Sequence, residues 1–184
     1  MRCCLPASSL AMGDNPVMAT RDSAGKLIIV CGLPGSGKTT HGKKLQAEFG
    51  GVRFAPDEWM NALSLDIWDE SLRGRIEELQ WQLGQQLLTA GMTVIIEWGT
   101  WGRSERDALR LRVRELGAFA ELHYLTAPVD VLFDRIQRRR MENPPITRAQ
   151  LVQWSEIFQQ PTPDEMALFD KAVTLDSNER VQQP

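Results

Sequence analysis

The sequence predicts an α/β fold in three layers: five parallel strands, helices on both faces of the sheet, and a short lid. Five short apolar stretches between residues 27 and 175 alternate with segments in which apolar residues recur every three or four positions. A glycine-rich loop directly follows the first of these stretches. Strands that alternate with helices form a parallel sheet whose ligand crevice lies at the carboxyl ends of the strands.

The glycine-rich loop is the most specific motif in the chain. Residues 32–39 read Gly-Leu-Pro-Gly-Ser-Gly-Lys-Thr and match the phosphate-binding pattern GxxxxGK followed by Ser or Thr. Closely spaced glycines let successive backbone N–H groups turn inward around an anion. The pattern predicts that Lys38 reaches the β- and γ-phosphates and that the Thr39 hydroxyl ligates Mg²⁺. The predicted nucleotide-binding residues of this loop are Gly32, Pro34, Gly35, Ser36, Gly37, Lys38, Thr39 and Thr40.

The elements around this loop follow in the order that the motif requires. Residues 27–31 are an unbroken apolar run, as expected of a strand buried on both faces, and residues 39–49 continue as a helix that ends at Gly50 and Gly51. A second strand is predicted over residues 52–55 and is stopped by Pro56.

The remaining elements follow from apolar spacing. Residues 69–90 carry Leu72, Ile76, Leu79, Leu83 and Leu87 at helical spacing. Later elements are a strand at 93–96, a helix at 104–116 capped by Ser104, a strand at 120–125, a helix at 129–140, helical material after Thr147, and a last strand at 171–175.

Composition limits the classes of protein that the chain can represent. Its 184 residues, 42% hydrophobic and 24% charged, are ordinary for one globular domain, predicted here over residues 26–184 after a disordered tail at 1–25. A net charge of -3 argues against a general nucleic-acid-binding protein. The apolar stretches are too short to cross a membrane, and three cysteines form neither a disulfide framework nor a metal-site spacing. We expect a cytoplasmic protein.

Two acidic residues follow predicted strands at the edge where the glycine-rich loop lies. Asp57 comes after the second strand and is placed to accept the proton of a substrate hydroxyl; the alternative is a helix N-cap or an acid in the first turn of a helix. Glu97 ends the third strand as a metal-holding acid does, directly or through a water; the alternative is a solvated carboxylate.

Arginines and tryptophans supply further candidates. Arg135, Arg138, Arg139 and Arg140 end a helix before a segment containing Pro144 and Pro145, so they are placed either to cover phosphates or to form a solvated helix end. The candidates for substrate binding just after Glu97 are Trp98, Trp101, Arg103 and Arg106, with packing or surface exposure as the alternatives. No pattern typical of a hydrolase triad accompanies His41 or His123.

These positions resemble the small P-loop kinases grouped as predicted ATP-dependent kinases, relatives of chloramphenicol phosphotransferase, zeta toxins and polynucleotide kinase. The resemblance spans roughly residues 26–175. It implies that Asp57 is the catalytic base and that Arg135 and Arg138 or Arg139 are lid arginines that act on the phosphates. Family members commonly have Asp where this chain has Glu97, and many carry an acceptor-holding Arg where it has residues 58–60, Glu-Trp-Met. The segment 158–165 also resembles the family.

The leading hypothesis is therefore an ATP-dependent kinase that transfers the γ-phosphate of Mg·ATP to a hydroxyl of a small molecule such as a sugar, nucleoside or antibiotic-like compound. The alternatives are a polynucleotide 5′-hydroxyl kinase and a nucleotide-dependent binding protein that transfers no phosphate. The guanine-reading N-K-x-D of a GTPase switch is absent from the sequence. The acceptor is not specified.

Overall fold

The computed structural model describes residues 24–139 and 144–176. The strands are β1 (Lys26–Cys31), β2 (Val52–Phe54), β3 (Thr93–Ile96), β4 (Phe119–Thr126) and β5 (Lys171–Asp176). The helices are α1 (Lys38–Phe49), α2 (Pro56–Ala62), α3 (Glu70–Thr89), α4 (Arg103–Glu115), α5 (Val129–Arg139), α6 (Arg148–Ile157) and α7 (Pro163–Met166). The predicted tail lies outside the described residues except for Ala24 and Gly25, and Arg140 lies outside them as well.

The five strands form one parallel sheet in the order β2-β3-β1-β4-β5. The central strand β1 pairs with β3 on one side and β4 on the other, so its residues are buried almost throughout. This explains its unbroken apolar sequence, because a strand covered on both faces has no solvated side. The predicted fold class is confirmed.

Alternate residues of β1 contribute to two separate cores. Leu27 and Ile29 pack into the core beneath α3 and α4, whereas Ile28 and Val30 pack with Leu45 of α1. A third cluster joins α5 to α6. Helices therefore cover both faces of the sheet. Among the described residues, no helix has the length and apolar character that crossing a membrane requires.

The buried face of α3 differs from the predicted one. Leu79 and Leu83 are 55% and 41% exposed, whereas Gln80 and Gly84 are buried. The buried stripe repeats every four residues and includes Gln80 because its side-chain oxygen accepts a hydrogen bond of 2.9 Å from the indole N–H of Trp98. Helical spacing alone would place Leu79 and Leu83 on the buried face, and that prediction was wrong. The spacing of apolar residues gives no sign that Trp98 supplies a hydrogen-bond donor to Gln80.

Two short helices add to the predicted strands and long helices, and Asp57 lies in the first turn of one of them, α2, as the alternative for this residue expected. Pro56, expected only to stop β2, is the first residue of α2, where its missing N–H costs nothing. Helix α7 begins after Thr162, whose hydroxyl accepts from the backbone N–H of Glu165. The helix expected to be capped by Ser104 begins at Arg103 instead, with Gly102 at its N-cap.

A buried ion pair fixes the loop between β3 and α4. The side chain of Arg106 is fully buried and contacts both carboxylate oxygens of Glu165, at 2.6 and 3.0 Å. The same guanidinium donates to the backbone carbonyls of Thr100, Trp101 and Gln159 at 2.9, 3.2 and 2.8 Å. One side chain therefore ties the β3–α4 loop to the segment that precedes α7.

The segment 158–165, singled out in the sequence without a mechanism, is the other half of this clamp. The Phe158 ring stacks on Tyr124 of β4 at a centroid distance of 5.8 Å. The side-chain oxygen of Gln159 accepts from the backbone N–H of Arg103 at 2.8 Å. The segment closes the sheet's α4 face and holds the start of α4 in place.

We expect Glu165→Gln to destabilise the protein strongly, because it leaves the buried Arg106 charge without a counter-charge. The loss in the free energy of unfolding should be on the order of 3–5 kcal/mol, measured by urea denaturation. The exposed neighbour provides the control, since Asp164→Asn should change stability by less than about 0.5 kcal/mol. Equal unfolding midpoints for Glu165→Gln and the wild type would contradict this account.

Candidate active site

The glycine-rich loop connects β1 to α1 and has the conformation that its sequence predicts. Gly35 has φ +81°, and a Cβ there would lie 2.6 Å from the carbonyl oxygen of Leu132. A side chain at this position would be strained by both the backbone and the approach of α5. Ser36 is buried beneath the loop, and α1 begins directly afterwards at Lys38. The loop thus presents the N-terminus of α1 to the cleft, where an anion is favoured.

Lys38 is held inside the loop. Its ammonium group donates to the carbonyl oxygens of Gly32 and Leu33 at 2.8 and 3.0 Å. Burial lowers the pKa of Lys38 to about 8, while the nearby Asp57 carboxylate acts in the opposite direction. Near pH 8 part of the Lys38 population is therefore uncharged, and a bound anion would favour the charged form.

A cleft of about 320 Å³ lies at the carboxyl ends of β1, β2 and β3. It brings together residues from the loop, from the start of α2, from the end of β3 and from α5. They are Pro34, Gly35, Gly37, Lys38, Thr39, Thr40, Ala55, Pro56, Asp57, Glu58, Glu97, Arg135 and Arg139. Four segments far apart in sequence thus meet at one edge of the sheet.

Asp57 is paired with an arginine that the sequence analysis missed. The carboxylate accepts from Arg73 of α3 at 2.7 Å, and Arg73 is also anchored to the carbonyl oxygen of Ile67 at 2.9 Å. The residues directly after Asp57 contain no arginine. Arg73, sixteen residues later on α3, lies beside the Asp57 carboxylate in the folded chain. The long separation between the two positions explains why no local pattern indicated the pair.

Glu97 lies at the bottom of the cleft and is also paired. Its Oε1 accepts from Arg53 of β2 at 2.7 Å, and Arg53 also contacts Glu58. A Cβ at position 42 would lie 1.9 Å from that same oxygen, so Gly42 of α1 is required for the carboxylate to fit. The pairing neutralises much of the charge that Glu97 would offer to a cation.

The residues present fit a magnesium ion that is held largely by its nucleotide. Among the described residues, no group of three or more acidic, His or Cys side chains is arranged to hold a metal. Thr39 and Glu97 both line the cleft beside the phosphate loop. A hydroxyl, one carboxylate and phosphate oxygens make a donor set that Mg²⁺ accepts. Since Arg53 occupies Oε1, Glu97 suits contact through a water better than direct ligation.

Several predicted site residues do not line this cleft. Arg106 is fully buried in the clamp with Glu165, and Arg103 lies at the surface with Asp107 at 3.4 Å. Trp101 packs edge-on against Trp154. Arg103, Arg106 and Trp101 were predicted to contact a substrate. In the structure each of them contacts other residues of the protein and lies outside the lining of this cleft.

Two further candidates are placed differently from expectation. Trp98 is buried and lines a second groove, between α3 and α4. Arg138 is exposed on α5 and is not among the residues that line the cleft, unlike Arg135 about one turn before it and the adjacent Arg139. His41 of α1 is buried, and its Nε2 lies 2.8 Å from Nδ1 of His123 on β4.

A parallel sheet, a phosphate loop and an acid at the adjacent strand end define a P-loop kinase type of site. The model of a family described as an AAA domain, AAA_33, matches residues 27–161. The chain therefore belongs to this family of P-loop kinases. None of the curated proteins matches the chain.

Solved structures share the fold. A provisionally assigned kinase from Chloroflexus aurantiacus is 20% identical with a TM-score of 0.70, covering 90% of this chain and 91% of that one. A gluconokinase from Sinorhizobium meliloti is 19% identical with a TM-score of 0.54, covering 90% and 86%. Kti12 from Chaetomium thermophilum, solved with ADP-AlF3, is 17% identical with a TM-score of 0.63, covering 83% and 89%. At these identities the likeness establishes the fold alone.

We expect nucleotide binding to take up a proton at pH 8. The pKa of Lys38 is about 8 without nucleotide, so about half of the Lys38 side chains are neutral at pH 8. Bound phosphates favour the charged side chain, so binding takes up a proton. Calorimetric titration with Mg·ADP in two buffers of different ionisation enthalpy should give about half a proton at pH 8 and almost none at pH 6.5. Affinity should fall as the pH rises through 8.

The control for this titration is Lys44→Met, an exposed lysine on the same helix. It should leave the proton uptake unchanged, whereas Lys38→Met should abolish it. Equal heats in both buffers for the wild type at pH 8 would contradict the assignment.

Proposed function

We propose that this protein is an ATP-dependent kinase that transfers the γ-phosphate of Mg·ATP to a hydroxyl group of a small molecule. The observation that supports this function is that Lys38, Asp57, Arg135 and Arg139 line one cleft at the carboxyl edge of the sheet. A phosphotransferase needs a carboxylate beside its acceptor hydroxyl, whereas a switch or a motor does not.

The transfer uses each side chain in a distinct way. Asp57 accepts the proton of the acceptor hydroxyl as that oxygen attacks the γ-phosphorus, and the bond to the β–γ bridging oxygen breaks to release ADP. Lys38 and the α5 arginines neutralise the charge that spreads over the transferring group. Magnesium, when bound through Thr39 and Glu97, would neutralise the β- and γ-oxygens.

Arg73 acts on Asp57 before the acceptor arrives. The 2.7 Å contact from Arg73 to Oδ1 of Asp57 fixes the orientation of the carboxylate group. An acceptor hydroxyl then meets a carboxylate that is already positioned, so less ordering is needed in the reactive complex. Arg73 is thus a positioning residue for the base.

The acceptor class is a small alcohol and not a nucleic acid. The chain carries a net charge of -3, and the cleft contains acidic Asp57, Glu58 and Glu97 among its lining residues. A polynucleotide path would need a run of unpaired cations leading to the base.

Removal of the base should abolish transfer but not nucleotide binding. Asp57→Asn should lower kcat by roughly 10²- to 10⁴-fold because the hydroxyl proton loses its acceptor, while the affinity for Mg·ADP stays close to that of the wild type. The assay is acceptor-dependent ADP release over a panel of sugars, nucleosides and hydroxylated antibiotics. Glu48→Gln, at an exposed position on α1, is the control. Acceptor-dependent turnover that persists in Asp57→Asn would overturn the assignment.

A second comparison separates lid arginines from surface arginines on one helix. Arg135→Ala should reduce kcat by roughly 10²-fold or more, because it removes a charge that faces the transferring phosphate. Arg138→Ala should have kcat within about twofold of the wild type, since this exposed side chain does not line the cleft. Similar losses of kcat in Arg135→Ala and Arg138→Ala would contradict the placement of Arg135 in the cleft and Arg138 outside it.

A further inference from the structure

A second recess lies next to the cleft, in the groove between α3 and α4. Its volume is about 460 Å³, within the range of small-molecule sites. Trp81 and Trp98 meet edge-to-face in its wall, with ring centroids 6.2 Å apart, and Leu109 adds an apolar surface. Below, the α3–α4 groove means the recess lined by Glu77, Trp81, Trp98, Thr100, Glu105, Ala108, Leu109 and Arg112.

The groove lies one turn of α3 from Arg73, the residue that contacts the proposed base. Arg73, which contacts Asp57, and Glu77, which lines the groove, are four residues apart on α3 and therefore lie on the same face, about 6 Å apart along the helix. A molecule with one hydroxyl at Asp57 would have to pass Arg73 to reach the groove.

The groove has an excess of negative charge. Glu77 makes no ion pair or hydrogen bond among the described residues, and Glu105 accepts only from the backbone N–H of Gly102, at 3.4 Å. The one cation in the lining, Arg112, is already engaged with Glu115 at 2.8 Å and with Gln85. Burial raises the pKa of Glu77 to about 7, although the nearby Arg73 guanidinium acts in the opposite direction.

A buried hydroxyl in the groove also lacks a partner. Thr100 is only 6% exposed, and its Oγ1 makes no hydrogen bond among the described residues. Its φ of +38° lies in the left-handed region, which is unfavourable for a β-branched residue. The Arg106 guanidinium holds it there through the Thr100 carbonyl. A strained residue with an unused polar atom in a recess indicates a binding position.

We propose that the α3–α4 groove binds the body of the phosphate acceptor and that this acceptor is an amine-bearing polyol, such as an amino sugar. The inference rests on the proposed kinase function, because it takes Asp57 as the position of the reacting hydroxyl. The indole faces of Trp81 and Trp98 suit the apolar face of a sugar ring, and Glu77 and Glu105 suit its ammonium group.

A matched pair of disaccharides tests this assignment. The probes are the glucosamine dimer, which carries two amines, and its N,N′-diacetyl counterpart, which has the same rings without charge. Calorimetric titration of the full chain with Mg·ADP present should show binding of the diamine at least about tenfold tighter than that of the diacetyl form. Equal affinity for the two sugars, or no measurable binding of the diamine, overturns the proposal.

Adjacent glutamates on α3 provide the variant and its control. Glu77→Gln should weaken diamine binding by about tenfold and leave diacetyl binding unchanged, whereas Glu78→Gln, at an exposed position outside the groove, should change neither. A loss of both sugars alike in Glu77→Gln, or an equal loss in Glu78→Gln, counts against the groove. Unchanged Mg·ADP affinity shows that each variant is folded.

Failure of this inference can be distinguished from failure of the kinase function. Suppose that neutral polyols are phosphorylated only when Asp57 is present, and that Glu77→Gln does not change the affinity for amine-bearing sugars. The groove assignment is then wrong and the kinase function stands. If the diamine binds with dependence on Glu77 but no alcohol in the panel accepts phosphate, the groove is a binding site and the proposed kinase function is wrong.

Discussion

The buried contact between Arg106 and Glu165 is the constraint on which the arrangement of α4 and the β3–α4 loop depends. The guanidinium occupies both carboxylate oxygens and also binds carbonyls on either side of the clamp. Because a buried charge without its partner is costly, neither the β3–α4 loop nor the segment before α7 can move away independently. The positions of Trp98 and Thr100, at the base of the α3–α4 groove, follow from that restriction.

Charges in the cleft are neutralised within the protein before any nucleotide binds. Asp57 is paired with Arg73, Glu97 with Arg53, and Lys38 with carbonyl oxygens of its own loop. Each pair holds a functional side chain in a defined orientation. The cost is that an incoming phosphate or metal must compete with an existing partner, which favours ligands that bring several charges at once.

The parts predictable from the sequence are those encoded by short-range patterns. The phosphate loop, the parallel sheet and the placement of Asp57 and Glu97 at strand ends all follow from motif and periodicity, because the carboxyl ends of parallel strands must share an edge. Arg53 and Arg73 were not predicted as partners of these acids, since such pairs form between distant segments. The burial of Arg106 was missed for the same reason, because its partner Glu165 lies 59 residues away.

The two sides of the site therefore have different origins in the chain. The phosphate side is built from one continuous segment around Lys38, whose geometry is set by local backbone conformation. The side proposed to hold the acceptor is assembled from α2, α3 and α4, which are brought together by the shared apolar core, the Trp98–Gln80 hydrogen bond and the clamp. Side chains that face the α3–α4 groove, such as Glu77, can therefore differ without disturbing the phosphate loop. In such an architecture the acceptor is specified by tertiary contacts, and so the most recognisable motif in the sequence contains no information about it.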